Sequence, residues 1–467
     1  MRAGHKSRRL SAGTGEAGDL VPSQAELRRI AARVLALSEA DETEVTIEAE
    51  SDALTRFANN TIHQNVAEER LDISVRAVVD GRTARATTNR SDDESLKRAA
   101  RAALDLARHQ PKNPRLLPMA RPAASGGAKP VRRFFESTAV ATPGDRARVV
   151  AALCREAGRG KHTAAGIFST GAHAMAIANS RGVFAYHAQT RAQFSITAMD
   201  GDSSGWAKAT SPDLKEIDPE KLARRAMEKA ETSRKPREIT PGRMTVILEP
   251  AAVLDLAGFL FYDFAGTAVG DNRSCFNNRM GKPVFGKNIE LWDDVYHPQQ
   301  SGAPFDGEGV PRERVRLVEA GVPMRLVYSR ATAKKMKAKP TGHGLPLPNE
   351  YGEAPMNLVI EGGESSLEKM IATTERGVLL TRVWYVREVD PYEKVLTGMT
   401  RDGTFLVEGG KIVAGLRNMR FNESVLEMLS NVEEMGPAVR ASGEEAFDMV
   451  VPAMKVRDFH FTEMTKF

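Results

Sequence analysis

Apolar residues fall at Leu27, Ile30, Val34 and Leu37, the spacing of one buried helix face. "SQAE" opens that segment, and Ser23 with Glu26 forms a capping box that starts the helix. The period then drops to two. Val45, Ile47 and Ala49 alternate with polar residues and predict a strand. "RLDISVRAVVDGRTARATT" reads as a hairpin turning at Asp80-Gly81. "SDDE" at 91–94 reads as a second capping box, opening a long helix through "SLKRAARAALDLARH".

The same order returns after a Pro- and Gly-rich stretch, "QPKNPRLLPMARPAASGGAKP", which reads as a linker or long surface loop. "MAIANSRGVFAYHAQTRAQFSITAMDGDSSGWAKAT" gives strands around a Gly/Asp/Ser turn, and "DPEKLARRAMEKAETSR" gives a closing helix. "RFANNTIHQNVAEERLDISV" and "AIANSRGVFAYHAQTRAQFSI" share a pattern. We infer a duplicated strand-rich unit closed by a helix. A chance likeness of two meander-plus-helix segments is the bland alternative. The predicted fold is α+β: residues 23–240 form an N-terminal domain with halves at about 23–110 and 135–240. A tail covers 1–22 and reads as disordered.

From Met244 the texture changes. Glycines thicken, and short alternating strands such as "MRLVYSR", "GVLLTRVWYV" and "GTFLVEGGKIV" follow one another. Residues 241–467 are predicted as a mostly antiparallel β domain, curled toward a barrel or a layered sandwich. Gly409-Gly410 turns a hairpin, and "NESVLEMLSNVEEMG" reads as a short amphipathic helix. "RERVRLVEAG" after Pro311 is also read as a helix. "LEPAAVLDLAGFL" reads as a strand end running into a helix, with Glu249 and Pro250 at its first turn.

Composition narrows the function. The chain of 467 residues is 41% hydrophobic and 27% charged, the balance of a soluble globular protein. No apolar run is long enough to span a bilayer, and the start lacks a signal-peptide pattern. A cytoplasmic location is expected. Two cysteines, Cys154 and Cys275, exclude a disulfide framework. A net charge of +5, from 66 basic and 61 acidic side chains, is too dilute to argue for direct nucleic-acid contact. The "KKMKAKP" run at 334–340 reads as a solvated loop.

Candidate chemistry is sparse. His-Glu-x-x-His, Cys-x-x-Cys, Gly-x-Ser-x-Gly and Walker-type motifs are absent, and no two of the nine histidines lie within five residues of each other. Asp306 and Glu308 in "PFDGEGVP" offer paired carboxylates, or simply a tight turn, which we favour. "GGESS" at 362–366 reads as a turn into a helix capped by Ser365 or Ser366. Cys275 among polar residues is a conceivable thiol without a visible basic partner.

"RFANNTIHQNVAEERLDISVRAVVDGRTARATTNRSDDESLKRAARAALDLAR", "PFDGEGVPRERVRLVEAGVPMRLVYSRATA", "NLVIEGGESSLEKMIATTERGVLL" and "LTGMTRDGTFLVEGGKI" resemble the TldD/PmbA family, in the family's order. The resemblance implies one of two subunit types. TldD-type chains are zinc peptidases with a His-Glu-x-x-x-His helix and a late cysteine. TldE-type chains, also called PmbA, lack those ligands and pair with a TldD-type chain. Placed on the family pattern, the motif falls at Glu249, Pro250 and Leu254, and the cysteine nearest Ser442. None of these is the family's ligand.

The resemblance therefore implies a TldE/PmbA-like subunit with no catalytic and no metal-binding residue of its own. Zinc is expected in a TldD-type partner forming a heterodimer, with a homodimer when the chain is alone. Unfolded or leader peptides are the expected substrates, and neither nucleic acid nor membrane is an expected partner. Two rivals stay open. One is a self-sufficient peptidase drawing on His297, His343, Asp306, Glu308 or Cys275. The other is a non-proteolytic regulator of the gyrase-modulator type.

Overall fold

The computed structural model describes residues 20–124 and 126–465. Most of the expected N-terminal tail lies outside the described residues, but its end does not: Val21 is buried in the first core.

The N-terminal half opens with α1 (Gln24–Leu37), the long strands β1 (Glu42–Ala58) and β2 (Thr61–Val79), then β3 (Arg82–Thr88) and α2 (Asp93–Arg108). A short α3 (Glu136–Ala139) leads to α4 (Pro143–Arg159), β4 (Thr163–Asn179), β5 (Phe184–Asp200), β6 (Ser203–Ser211) and α5 (Pro219–Thr232). Each half is thus helix, three antiparallel strands, helix, as the duplicated pattern predicts. The two halves join into one sheet of order β3-β2-β1-β4-β5-β6, with β1 and β4 paired antiparallel at the centre. Ser23 and Glu26 make the expected capping box. The second cap is Asp92 rather than Ser91: Asp92 is the residue whose carboxylate accepts the Ser95 N–H.

The two faces of this sheet differ, because strand residues alternate. Val45, Ile47 and Ala49 of β1, with Ala174 and Ala176 of β4, face α1 and α2. Phe194 and Ile196 of β5 pack with α4 and α5. The opposite face carries Glu48, Glu50, His173, Gln189 and Arg191 and turns toward the C-terminal domain. There Arg85 donates to the Leu347 carbonyl, and the Gly302 N–H donates to Gln189 at 2.8 Å.

The C-terminal domain begins with β7 (Arg243–Leu248), α6 (Pro250–Ala257), a 3-10 turn and α7 (Gly266–Gly270). Then come β8 (Leu291–Asp293), β9 (Val315–Glu319), β10 (Val322–Pro323), α8 (Arg330–Met336), β11 (Leu358–Ile360) and α9 (Leu367–Ala372). The chain ends with β12 (Arg376–Asp390), β13 (Val395–Glu408), β14 (Lys411–Gly415), β15 (Met419–Ser424), α10 (Val425–Ser430), β16 (Val432–Met435), β17 (Val439–Ala441), β18 (Met449–Val451) and β19 (Met454–Met464). One sheet runs β12-β7-β19-β15-β13-β14, and β12 also pairs with β13. That last pairing closes five strands into a barrel, filled by Val246, Val378, Val456, Phe421 and Phe459. A second sheet, β10-β9-β8-β11-β18-β17, lies beside it.

Three segments depart from the sequence reading. "RERVRLVEAG" is strand β9, not a helix: Val315 and Leu317 point into the core while Arg316 points out, a period of two. The "KKMKAKP" run is half helix, since Lys334 and Lys335 end α8 and Lys337 closes it at a φ of 55°. The stretch after α10 pairs as β16 with β19, so only its first part is helical. Ser366 is the cap of α9, accepting the Lys369 N–H.

Candidate functional site

The β7–α6 junction is where the resemblance places the family's motif positions, Glu249, Pro250 and Leu254. β7 pairs in parallel with β12, placing Leu248 opposite Leu380, and the Glu249 N–H donates to the Leu380 carbonyl at 2.9 Å. Pro250 opens α6 at its first position, where a missing N–H costs nothing. Leu254 is fully buried in the main core.

Glu249 is the N-cap residue, but its side chain caps nothing. A carboxylate buried to 5% exposure keeps its charge only with partners that offset its lost hydration. They come from α5: Lys229 Nζ stands 2.7 Å from Glu249 Oε1, and Arg225 Nη2 stands 2.6 Å from Oε2. Residues 225 and 229 are one helical turn apart, so both reach the same point. Burial opposes the Glu249 charge, but Lys229 and Arg225 together hold the carboxyl below its usual range. For Lys229 the balance tips the other way, and burial pushes its ammonium down to about 8 against the pull of Glu249. The cluster stitches the closing helix of the N-terminal domain to the start of α6.

Six residues further on, Asp255 is fully buried. Its carboxylate accepts the N–H groups of Glu444, Glu445 and Ala446 at 3.0–3.2 Å. Burial dominates these bonds and raises its pKa to about 6. A Cβ at Gly443 would lie 2.1 Å from Asp255 Oδ1, so the loop approaches this closely only with glycine there. This anchor sets Ser442 beside α6, on the wall of a cavity of about 670 Å³ between the sheet's polar face and the C-terminal loops.

The other sequence candidates are dispersed. His343 is completely buried, with Nε2 2.8 Å from Asp293 Oδ1 and Nδ1 2.9 Å from Thr341 Oγ1. His297 lies near the surface, and its Nδ1 accepts the Gln299 N–H. Asp306 Oδ1 accepts the N–H groups of Glu308 and Val310, the work of a tight turn, and Oδ2 accepts the N–H of Gly344 from a distant segment. Burial, then the neighbouring Glu308, raises Asp306 to about 6. Glu308 pairs with Arg330 at 2.8 Å. Cys275 is buried, and burial followed by Asp263 pushes its thiol far up, away from reactivity. Among the described residues, no three His, Cys, Asp or Glu side chains stand close enough to hold a metal ion. Sequence reasoning missed Arg225, Lys229 and Asp255. Only Asp255 left a trace, as an acid inside an apolar run.

Three family models, described as PmbA/TldA metallopeptidase domain 1, central domain and C-terminal domain, match residues 43–107, 140–234 and 241–463. The chain belongs to the PmbA/TldD family. A metalloprotease of Methanothermobacter thermautotrophicus is 26% identical over 284 residues, 57% of this chain and 60% of that protein. The metalloprotease PmbA of Escherichia coli O157:H7 is 23% identical over 228 residues, 47% of each chain. The chain therefore spans about half the length of these curated relatives. The crystal structure of TldE from Thermococcus kodakarensis shares the fold at a TM-score of 0.84 and 20% identity, covering 94% of this chain and 100% of that one. A Thermotoga maritima structure, described as a candidate modulator of a DNA gyrase, gives 0.83 at 20% identity, covering 93% and 100%. The PmbA/TldD assignment accounts for the α+β architecture and the metalloprotease-like fold. Among the described residues, no helix is long and apolar enough to cross a membrane.

Proposed function

We propose that this chain is a non-catalytic, TldE/PmbA-like subunit of a TldD/TldE-type peptidase acting on unfolded or leader peptides in the cytoplasm. The observation that carries the reading is the fate of the three motif positions. Glu249 is committed to Lys229 and Arg225, Pro250 has no donor atom to offer, and Leu254 belongs to the core. A zinc ion there would face two cations and a leucine, and zinc needs three or four N, S or O ligands. These residues do not fit the metal, so no step of peptide cleavage is routed through this chain. Its own part is to bind peptide and shape the cavity beside Ser442. Zinc and the general base then belong to a TldD-type partner, bound as a heterodimer. Free, buried Cys154 and Cys275 suit a reducing compartment.

Elemental analysis of the dialysed chain, with a cleavage assay on the pair reconstituted with a TldD-type partner, tests the reading. The expected result is no stoichiometric zinc in this chain, a dimer by solution mass, and cleavage only when the partner is present. About one zinc per chain, lost together with activity, would overturn it.

A further inference from the structure

The cavity beside Ser442 has a charge imbalance that its own residues do not settle. Its volume, about 670 Å³, lies within the ~300–1,000 Å³ of ordinary ligand sites. Four cations line it: Arg191 and Lys208 from the sheet, Arg312 and Arg440 from the C-terminal domain. Two of them are neutralised. Lys208 pairs with Glu444 at 3.3 Å, and Arg440 pairs with Asp448 at 2.8 Å. The remaining lining carboxylate, Asp306, is spent on three backbone N–H groups.

Arg312 and Arg191 are left over. Arg312 Nη1 donates to Asn357 Oδ1 at 3.0 Å, and its Nε is buried without a hydrogen-bond partner. Arg191 donates only to Gln193 Oε1, at 3.3 Å. Among the described residues, neither has a carboxylate within ion-pair distance. Asp293 feels the Arg312 charge but is committed to His343 and Asn357. Asp52 feels Arg191 across Gly171, whose missing side chain leaves room for the Asp52 carboxylate to lean over β4. An Arg guanidinium that lines a cavity without a counterion is matched by a planar carboxylate, which accepts two parallel N–H bonds from it.

We propose that this cavity is a carboxylate subsite, in which Arg312 and Arg191 hold the C-terminal carboxylate of a bound peptide. The assignment rests on the peptide-binding reading above and adds which end of the peptide is read. An acidic side chain presents the same chemistry, so the test separates the two sources.

Titration calorimetry of the full chain would use N-acetyl-trialanine as the free acid, as its C-terminal amide, and as an amide with Asp in the last position. The free acid is expected to bind at least tenfold tighter than the amide. Arg312→Gln should bring it to the amide level, and Arg191→Gln, an exposed change that leaves the fold intact, should weaken it severalfold. If the Asp-containing amide binds as the acid does, the carboxylate site stands and side chains are its source. Equal binding of all three, binding by none, or an acid preference that survives both substitutions overturns the proposal. The reconstituted cleavage assay keeps the two claims apart: a pair that cleaves without acid preference rejects this subsite alone, whereas a pair that does not cleave rejects the subunit reading.

Discussion

Two carboxylates on one short helix are treated in opposite ways. Glu249, at the start of α6, is held charged by Lys229 and Arg225. Asp255, a turn and a half later, has no cation and leans on the N–H groups of residues 444–446. Both are buried, so exposure does not distinguish them. Their partners do. Cations outweigh the burial penalty at Glu249 and lower its pKa, whereas neutral dipoles leave Asp255 raised to about 6. One site is an ionic stitch between domains, and the other is a hydrogen-bonded anchor for the loop that carries Ser442.

The largest effect should come from breaking the stitch on one side. Lys229→Met leaves Glu249 buried with only the half-exposed Arg225 and should cost about 3–5 kcal/mol in urea unfolding. Adding Glu249→Leu should recover most of that loss, because an apolar pair of similar size needs no counterion. A Lys229→Met chain within 1 kcal/mol of the parent would mean that the Glu249 charge is not held as described.

Much of this was legible in the sequence, and what was not has physical causes. The strand and helix periods of the duplicated halves were readable because each element buries one face. "RERVRLVEAG" misled because its charged residues mimic a helical stripe, while Val315 and Leu317 were in fact alternating into a sheet supplied by distant segments. That Pro250 and Leu254, where the resemblance places the motif, carry no metal-binding atoms was visible in residue type alone. The replacement was not. Arg225 and Lys229 sit in "LARRAMEK", which by itself reads as the solvated face of a helix. Only the docking of α5 onto the β7–α6 junction makes them counterions.

Asp255 should reveal itself through pH. The folded chain keeps its proton up to about pH 6, whereas the unfolded chain releases it near 3.8. The folded state thus binds more protons between these values, so this group's contribution to stability falls as pH rises from about 4 to 6 and is flat above. Two pKa units correspond to about 3 kcal/mol. Asp255→Asn cannot ionise and should remove that slope, seen as a difference between variant and parent in urea midpoints across pH 4–7. Asp306 and Glu423, raised for similar reasons, remain in both chains and cancel in the difference. Identical pH profiles for variant and parent would show that Asp255 does not titrate in this window.

The smallest effect sharpens the comparison most. Arg225 touches Glu249 at 2.6 Å, closer than Lys229 does, yet its side chain is 46% exposed against 11% for Lys229. Solvent screens an exposed cation, and a mobile one pays side-chain entropy to stay in place. Arg225→Gln should therefore cost only about 0.5–1 kcal/mol, with most of that loss gone at high salt. Lys229→Met should be nearly indifferent to salt, because its partner is sealed from solvent. If instead Arg225→Gln proves as damaging as Lys229→Met, and salt moves both alike, burial is not what sets the strength of the stitch. The shorter contact would then outrank the buried one.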